Sequence, residues 1–129
     1  MNVLNAEAPD FAAMVIDTQR VIEDMQIDEE GYFELVDVFL GEVASIRESI
    51  AHALIAGAAT FIRVCHELGT TLGVVGATRG ERLARRFERA LRAEVSVSLP
   101  MMAATLLREL AVVAQILAAA RDQANLQCA

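Results

Sequence analysis

Phe61-Ile62-Arg63-Val64-Cys65-His66-Glu67-Leu68-Gly69-Thr70-Thr71-Leu72-Gly73-Val74-Val75-Gly76-Ala77 reads as a helix. Phe61, Cys65, Leu68, Leu72 and Val75 recur at three- and four-residue steps and fall on one apolar stripe. His66 lies about 100° round from Cys65, among Ile62, Gly69, Thr70 and Gly73, so its imidazole is expected to point outward over small neighbours. Two glycines inside a helix cost roughly 1 kcal/mol each relative to alanine. The compensation this spacing suggests is access, with another protein bringing a reactive group close to the ring.

Working outward, Gly57 and Gly76-Ala77-Thr78 punctuate this helix, which is expected over residues 58–75. Upstream, Asp28 is an N-cap signal, followed by Glu29 and Glu30, where the helix dipole favours acids. From there Phe33, Val36, Leu40, Val43, Ile50 and Leu54 mark a long helix ending at Ala56. Before it, Pro9-Asp10 opens a first helix with Phe11, Met14, Val15, Thr18 and Ile22 on one side, ending near Met25. Downstream, Thr78 and Glu81 match a capping box, and Leu83, Phe87 and Leu91 mark a fourth helix. Ser98-Leu99-Pro100 opens the last, which runs through Leu106, Leu110, Val113 and Leu117 to about Gln123. Residues 1–8 and 125–129 are expected to be flexible tails. Short links between long amphipathic helices make neighbours antiparallel, so the expectation is all-α: an up-down-up-down four-helix bundle with an additional short N-terminal helix.

The 129 residues suit one domain, and an apolar fraction of 55% with 5% aromatics agrees with an all-helical core. A formal charge of −7 disfavours nucleic-acid binding and suits a cytoplasmic protein. Cys65 belongs to the core stripe and Cys128 to the last residues, so no disulfide between them is expected and a reducing compartment is implied. No basic region followed by an apolar run marks a secretory signal. The most hydrophobic segment, residues 99–120, is interrupted by Pro100, Arg108, Glu109 and Gln115 and reads as a buried bundle helix rather than a membrane span.

Charge is unevenly spread. Residues 1–50 hold twelve acids against Arg20 and Arg47, whereas residues 78–93 hold six arginines against Glu81 and Glu88, and lysine is absent throughout. If the third and fourth helices form a hairpin turning near Ala77, the level of His66 is opposite residue 88, which would bring Arg86 and Arg89 near the imidazole. Arginines beside a histidine suit an anionic phosphoryl group; the competing reading is a solvated arginine face laced to Glu81 and Glu88. Other chemistries lack their signatures: there is no metal-ligand spacing, no nucleophile elbow and no phosphate loop. His52 lies off the apolar stripe without small neighbours and reads as a solvated histidine.

His66, Leu68, Gly76 and Ala77, at offsets of two, ten and eleven residues from the histidine, resemble the motif of histidine-containing phosphotransfer (HPt) domains. The resemblance extends over roughly residues 28–126, with Val38-Phe39-Leu40 and Glu42 similar to the family's preceding helix and Leu54-Ile55-Ala56-Gly57 similar to its inter-helix break. It implies a phosphoaccepting His66 that exchanges its phosphoryl group with receiver-domain aspartates of a two-component phosphorelay. The implied partners are a response-regulator receiver domain or a hybrid histidine kinase. Mg²⁺ is expected on the partner receiver, and this chain itself is expected to bind no cofactor or metal. The sequence departs from the family at two places: Gly69 stands where such domains place lysine, and Thr70 where they place glycine. Arg63, one turn before His66, or Arg86 and Arg89 are the candidate substitutes for that lysine, while Gly69 and Gly73 would supply clearance.

His66-Glu67-Leu68-Gly69-Thr70-Thr71-Leu72 is also similar to the histidine box of sensor kinases, without its basic residue and proline. That likeness implies a base role for Glu67 and a phosphate contact for Thr70. Both resemblances imply the same chemistry, since an exposed imidazole is largely neutral at neutral pH and keeps a lone pair for attack on phosphorus. Ile62 and the glycine-flattened face would form the docking patch. No kinase activity is expected of the chain alone. The alternatives are a degenerate bundle that binds a receiver or kinase as a regulator without carrying phosphate, and a helical module that forms a homodimer in which the histidine is incidental.

Overall fold

The computed structural model describes residues 14–128, which form five α-helices and no strand. We number them α1 (Thr18–Met25), α2 (Glu29–Ala56), α3 (Ala58–Val74), α4 (Thr78–Arg92) and α5 (Leu99–Cys128). Helices α2 to α5 run up-down-up-down as antiparallel neighbours, α2 touching α3 and α5 and α4 touching the same two, while α1 lies against α2. The expected four-helix bundle with a short N-terminal helix is the fold.

Local signals act where the sequence places them. Asp28 Oδ1 accepts the Gly31 N–H at 2.8 Å, with Glu29 and Glu30 in the first turn of α2. Gly57 separates α2 from α3 at φ 110°, a backbone conformation open to glycine alone. Ser98 Oγ accepts the Met101 N–H at 3.3 Å at the start of α5. The stripe of Phe61, Cys65, Leu68, Leu72 and Val75 is buried throughout, and so is the Leu106, Leu110, Val113, Leu117 line of α5. Each large apolar side chain buried this way contributes about 1.5–3 kcal/mol. Helix α5 is long and apolar enough to cross a membrane by length and composition, and in this fold that line packs into the bundle core. Arg121 clasps α5 to α2, its Nη2 2.9 Å from Asp37 and its guanidinium over the Phe33 ring.

Three boundaries differ from expectation. The expected first helix breaks at Ile16-Asp17; its opening at Pro9-Asp10 and its Phe11 lie outside the described residues. The break has two causes, for Asp17 Oδ1 caps α1 by accepting from the Arg20 N–H, while the Asp17 N–H itself donates to Gly76 O at 2.8 Å. Thr78 and Glu81 form no capping box: Ala77 occupies the N-cap position without a side-chain bond, the Thr78 N–H donates to Gly76 O, and the Glu81 carboxylate pairs with Arg85. Helix α5 continues past Gln123 to Cys128, because residues 123–128 contain neither glycine nor proline to stop it. Within α4 the deepest residues are Gly80, Ala84 and Leu91, with Leu83 and Phe87 only half-buried at the flanks. Small residues there let α4 approach closely; a Cβ on Gly80 would stand 2.9 Å from Leu72 Cδ1.

The end of the bundle at the α3–α4 turn is tied down. Gly76 has φ 80°, and a Cβ on it would stand 2.6 Å from Asp17 O. The buried Tyr32 hydroxyl donates to Val75 O at 2.7 Å beside it. Gly76 is thus required both for its backbone conformation and for the approach of the N-terminal segment.

Candidate functional site

Helices α3 and α4 pair in a register symmetric about Ala77. His66 stands opposite Glu88, Gly69 opposite Arg85 and Gly73 opposite Glu81. At the last two levels the missing Cβ is what admits the partner. A Cβ on Gly69 would stand 3.3 Å from Arg85 Cγ and 3.5 Å from its Cζ, and one on Gly73 would stand 2.9 Å from Glu81 Oε2. Gly69 is buried beneath Arg85, so these glycines seat α4 side chains and do not leave bare helix for a visitor. That corrects the expected clearance. Their helix-propensity cost is set against close packing of α3 on α4.

The imidazole itself stands clear. The His66 side chain is 58% exposed, and its Nδ1 lies 3.2 Å from both carboxylate oxygens of Glu88. Glu88 is only 12% exposed and also receives Arg92 Nε at 2.9 Å. Burial pushes the Glu88 carboxyl upward, but the hydrogen bonds from Arg92 and His66 outweigh it and hold the group below the usual carboxylate range. An ionised carboxylate only accepts, so Nδ1 carries the proton in the neutral ring and Nε2 keeps its lone pair. The imidazole is thus oriented by a fixed anion, and Nε2 has no hydrogen-bond partner among the described residues.

The neighbours sort differently from the sequence expectation. The carboxylate that meets the ring is Glu88; Glu67 is exposed and lines a groove with Glu42, Ser45 and Ile46 of α2. Thr70 is exposed, and its hydroxyl donates back to His66 O at 3.3 Å, so the donor expected for a phosphate contact is engaged with the helix backbone. Ile62 is half-buried one turn before His66, and Arg63 is exposed. Arg86 lines a groove toward α5, on a different side of α4 from Glu88. Arg89 is exposed and makes no ion pair among the described residues. The arginines that do face α3 are Arg92, through Glu88, and Arg85, above Gly69 and one turn from His66. Arg85 is held there by Glu81, Nη2 to Oε2 at 3.1 Å.

Behind the histidine Cys65 is fully buried, and burial, with the Glu88 charge adding to it, pushes its thiol up to about 12, so it is an inert core residue. His52 is exposed on α2. Beside the site an α2–α3 groove of about 230 Å³ runs between Leu35, Val38, Phe39, Thr70, Thr71 and Val74, with Val38 and Val74 exposed on its rim. Among the described residues no group of three or more His, Cys, Asp or Glu side chains is placed to hold a metal ion. Comparison of the chain with protein-family models, with curated proteins and with solved structures gave no match.

Proposed function

We propose that this protein is a histidine phosphotransfer protein of a two-component phosphorelay, accepting a phosphoryl group at His66 and passing it on in exchange with receiver-domain aspartates. The observation that carries the reading is the exposed imidazole whose Nδ1 meets Glu88 while Nε2 has no hydrogen-bond partner among the described residues. In the neutral ring with its proton on Nδ1, attack by Nε2 on the phosphorus of an aspartyl phosphate forms the N–P bond as the P–O bond to the receiver's carboxylate breaks, and no base need remove a proton. Positive charge appears on the ring and is met by the Glu88 carboxylate. Reversal returns the group to a second aspartate through the same geometry. Mg²⁺ belongs to the receiver, which supplies the remaining charge neutralisation.

On this reading Arg85 takes the part played by the lysine of the domains the sequence resembles. The residue at that lysine's position is Gly69, and the guanidinium of Arg85 occupies the space above it. The receiver docks on the histidine face, with the exposed Val38 and Val74 beside Thr70 as apolar anchors.

The test is incubation with phosphorylated receiver domains, following acid-labile label on the wild type and on His66→Gln. Label on the wild type and none on the variant is the expected result. Stable receiver binding without label would select the other reading, a regulatory bundle, which the engaged Thr70 hydroxyl favours. Neither label nor binding would overturn both.

A further inference from the structure

On another side of α4 lies a second polar site that the histidine chemistry does not use. Arg79, Arg82, Leu83 and Arg86 of α4 face Thr105 and Glu109 of α5 across a groove of about 490 Å³. The size is within the range of small-molecule sites. Among the described residues Glu109 is the acid that lines it, and that carboxylate is engaged by Arg79, Nη2 to Oε1 at 2.9 Å and Nε to Oε2 at 3.0 Å. The Arg82 Nε reaches only the Thr78 carbonyl, at 3.4 Å, and Arg86 makes no hydrogen bond or ion pair among the described residues. The rim gains another cation from Arg108, whose Nη2 donates to Thr105 Oγ1 at 3.4 Å. In a chain of net charge −7 the described lining of the groove therefore holds a local excess of positive charge, with two guanidiniums, Arg82 and Arg86, that meet no carboxylate among the described residues.

We propose that this groove binds a small molecule carrying a diphosphate. Guanidinium forks match phosphate oxygens in pairs and are weakly hydrated, which makes arginine the side chain suited to such an anion. Arg82 and Arg86 are one turn apart, about 6 Å along the helix axis, so each can take one phosphate of an adjacent pair. Arg79, fixed by Glu109, forms a rigid end wall, and the half-buried Leu83 gives an apolar surface for the organic body of the ligand. The His66–Glu88 pair contributes no residue to the groove, so the proposal does not depend on phosphotransfer at His66.

The test is titration calorimetry on the full chain at near-physiological salt, with inorganic pyrophosphate and with ADP as probes. Saturable one-to-one binding is expected for both, tighter for ADP if the organic body uses Leu83. The pair Arg82→Ala and Arg86→Ala together should weaken it roughly tenfold or more, while His66→Gln leaves it unchanged. Arg82 and Arg86 are both exposed, so the double variant should keep the wild-type melting temperature, which is checked in parallel. Failure to saturate with either probe would overturn the proposal. So would an equal loss in the control Arg47→Ala with Arg63→Ala, which changes the same charge elsewhere.

Discussion

His66 Nδ1 sits 3.2 Å from both oxygens of Glu88, and the same carboxylate receives Arg92 Nε at 2.9 Å. One anion thus fixes the tautomer of the histidine and is itself fixed by a cation on its own helix. Replacing Glu88 with glutamine keeps an acceptor for the Nδ1 proton but removes the charge that would meet the phosphorylated ring. Glu88→Gln should slow phosphoryl transfer by roughly ten- to a hundredfold, by analogy with the loss of the partners that orient metal-bound histidines. Nitrogen NMR of the imidazole reads the tautomer directly. A wild-type ring protonated mainly at Nε2 would contradict the assignment.

Arg85 and Arg86 are adjacent in sequence, but Arg85 lies against α3 above Gly69 whereas Arg86 lines the groove toward α5. Arg85→Ala should slow transfer at His66 more at low salt than at high salt, because a partly exposed cation is screened. Arg86→Ala should leave transfer unchanged, and Arg85→Lys should recover part of the rate. The stability change in Arg85→Ala should stay below about 1 kcal/mol, since its pair with Glu81 is a partly exposed i,i+4 bridge. Equal slowing by the two alanine variants at every salt concentration would remove Arg85 from the site.

Gly76→Ala meets both a positive φ and the Asp17 carbonyl. It should cost on the order of 2–4 kcal/mol, from backbone strain and displacement of the N-terminal segment. Gly57→Ala, at φ 110° with nothing within 4 Å, meets strain alone and should cost less, about 1–3 kcal/mol. Thermal melts of the two variants give the comparison, and the reverse order would refute the close-approach argument.

Tyr32 is the chain's one tyrosine, and there is no tryptophan, so its ultraviolet titration is unobscured. Burial pushes the phenol up to about 12 from 10.0. A phenol held neutral in the fold stabilises it fully below pH 10.0, and that contribution is lost as pH rises from there through about 12. Tyrosinate absorbance should therefore lag that of the unfolded chain, and stability should fall across that window. Tyr32→Phe should flatten the pH slope while costing about 1–3 kcal/mol at neutral pH, because Val75 O loses its donor. A native phenol titrating near 10 would contradict its burial.

Most of the bundle was legible because periodicity and caps are local. The Phe61 to Val75 stripe, the Asp28 cap and the Leu106 to Leu117 line depend only on residues a few positions apart. The hairpin register was legible too, since a turn near Ala77 places residue 88 level with His66. Which side chain points across at that level was not, because Glu88 and Arg89 differ by about 100° around α4 and the direction is set by how α4 rotates onto the core. Gly80 and Ala84 fix that rotation, and their smallness carries no hydrophobic signal. The break at Asp17 was hidden for a related reason: its partner, Gly76 O, is a backbone atom far along the chain.

The bond between Asp17 and Gly76 has a mechanical corollary. His66 and Glu88 each sit eleven residues from Ala77, so at about 1.5 Å per residue the pair works at the tip of an arm about 16 Å long. A splay of about 5° where α3 turns into α4 would part their side chains by about 1.4 Å, enough to break a contact made at 3.2 Å. The stiffness that keeps the histidine aligned is therefore supplied at the opposite end of the hairpin, through the bond from the Asp17 N–H to Gly76 O rather than by a group that touches the imidazole.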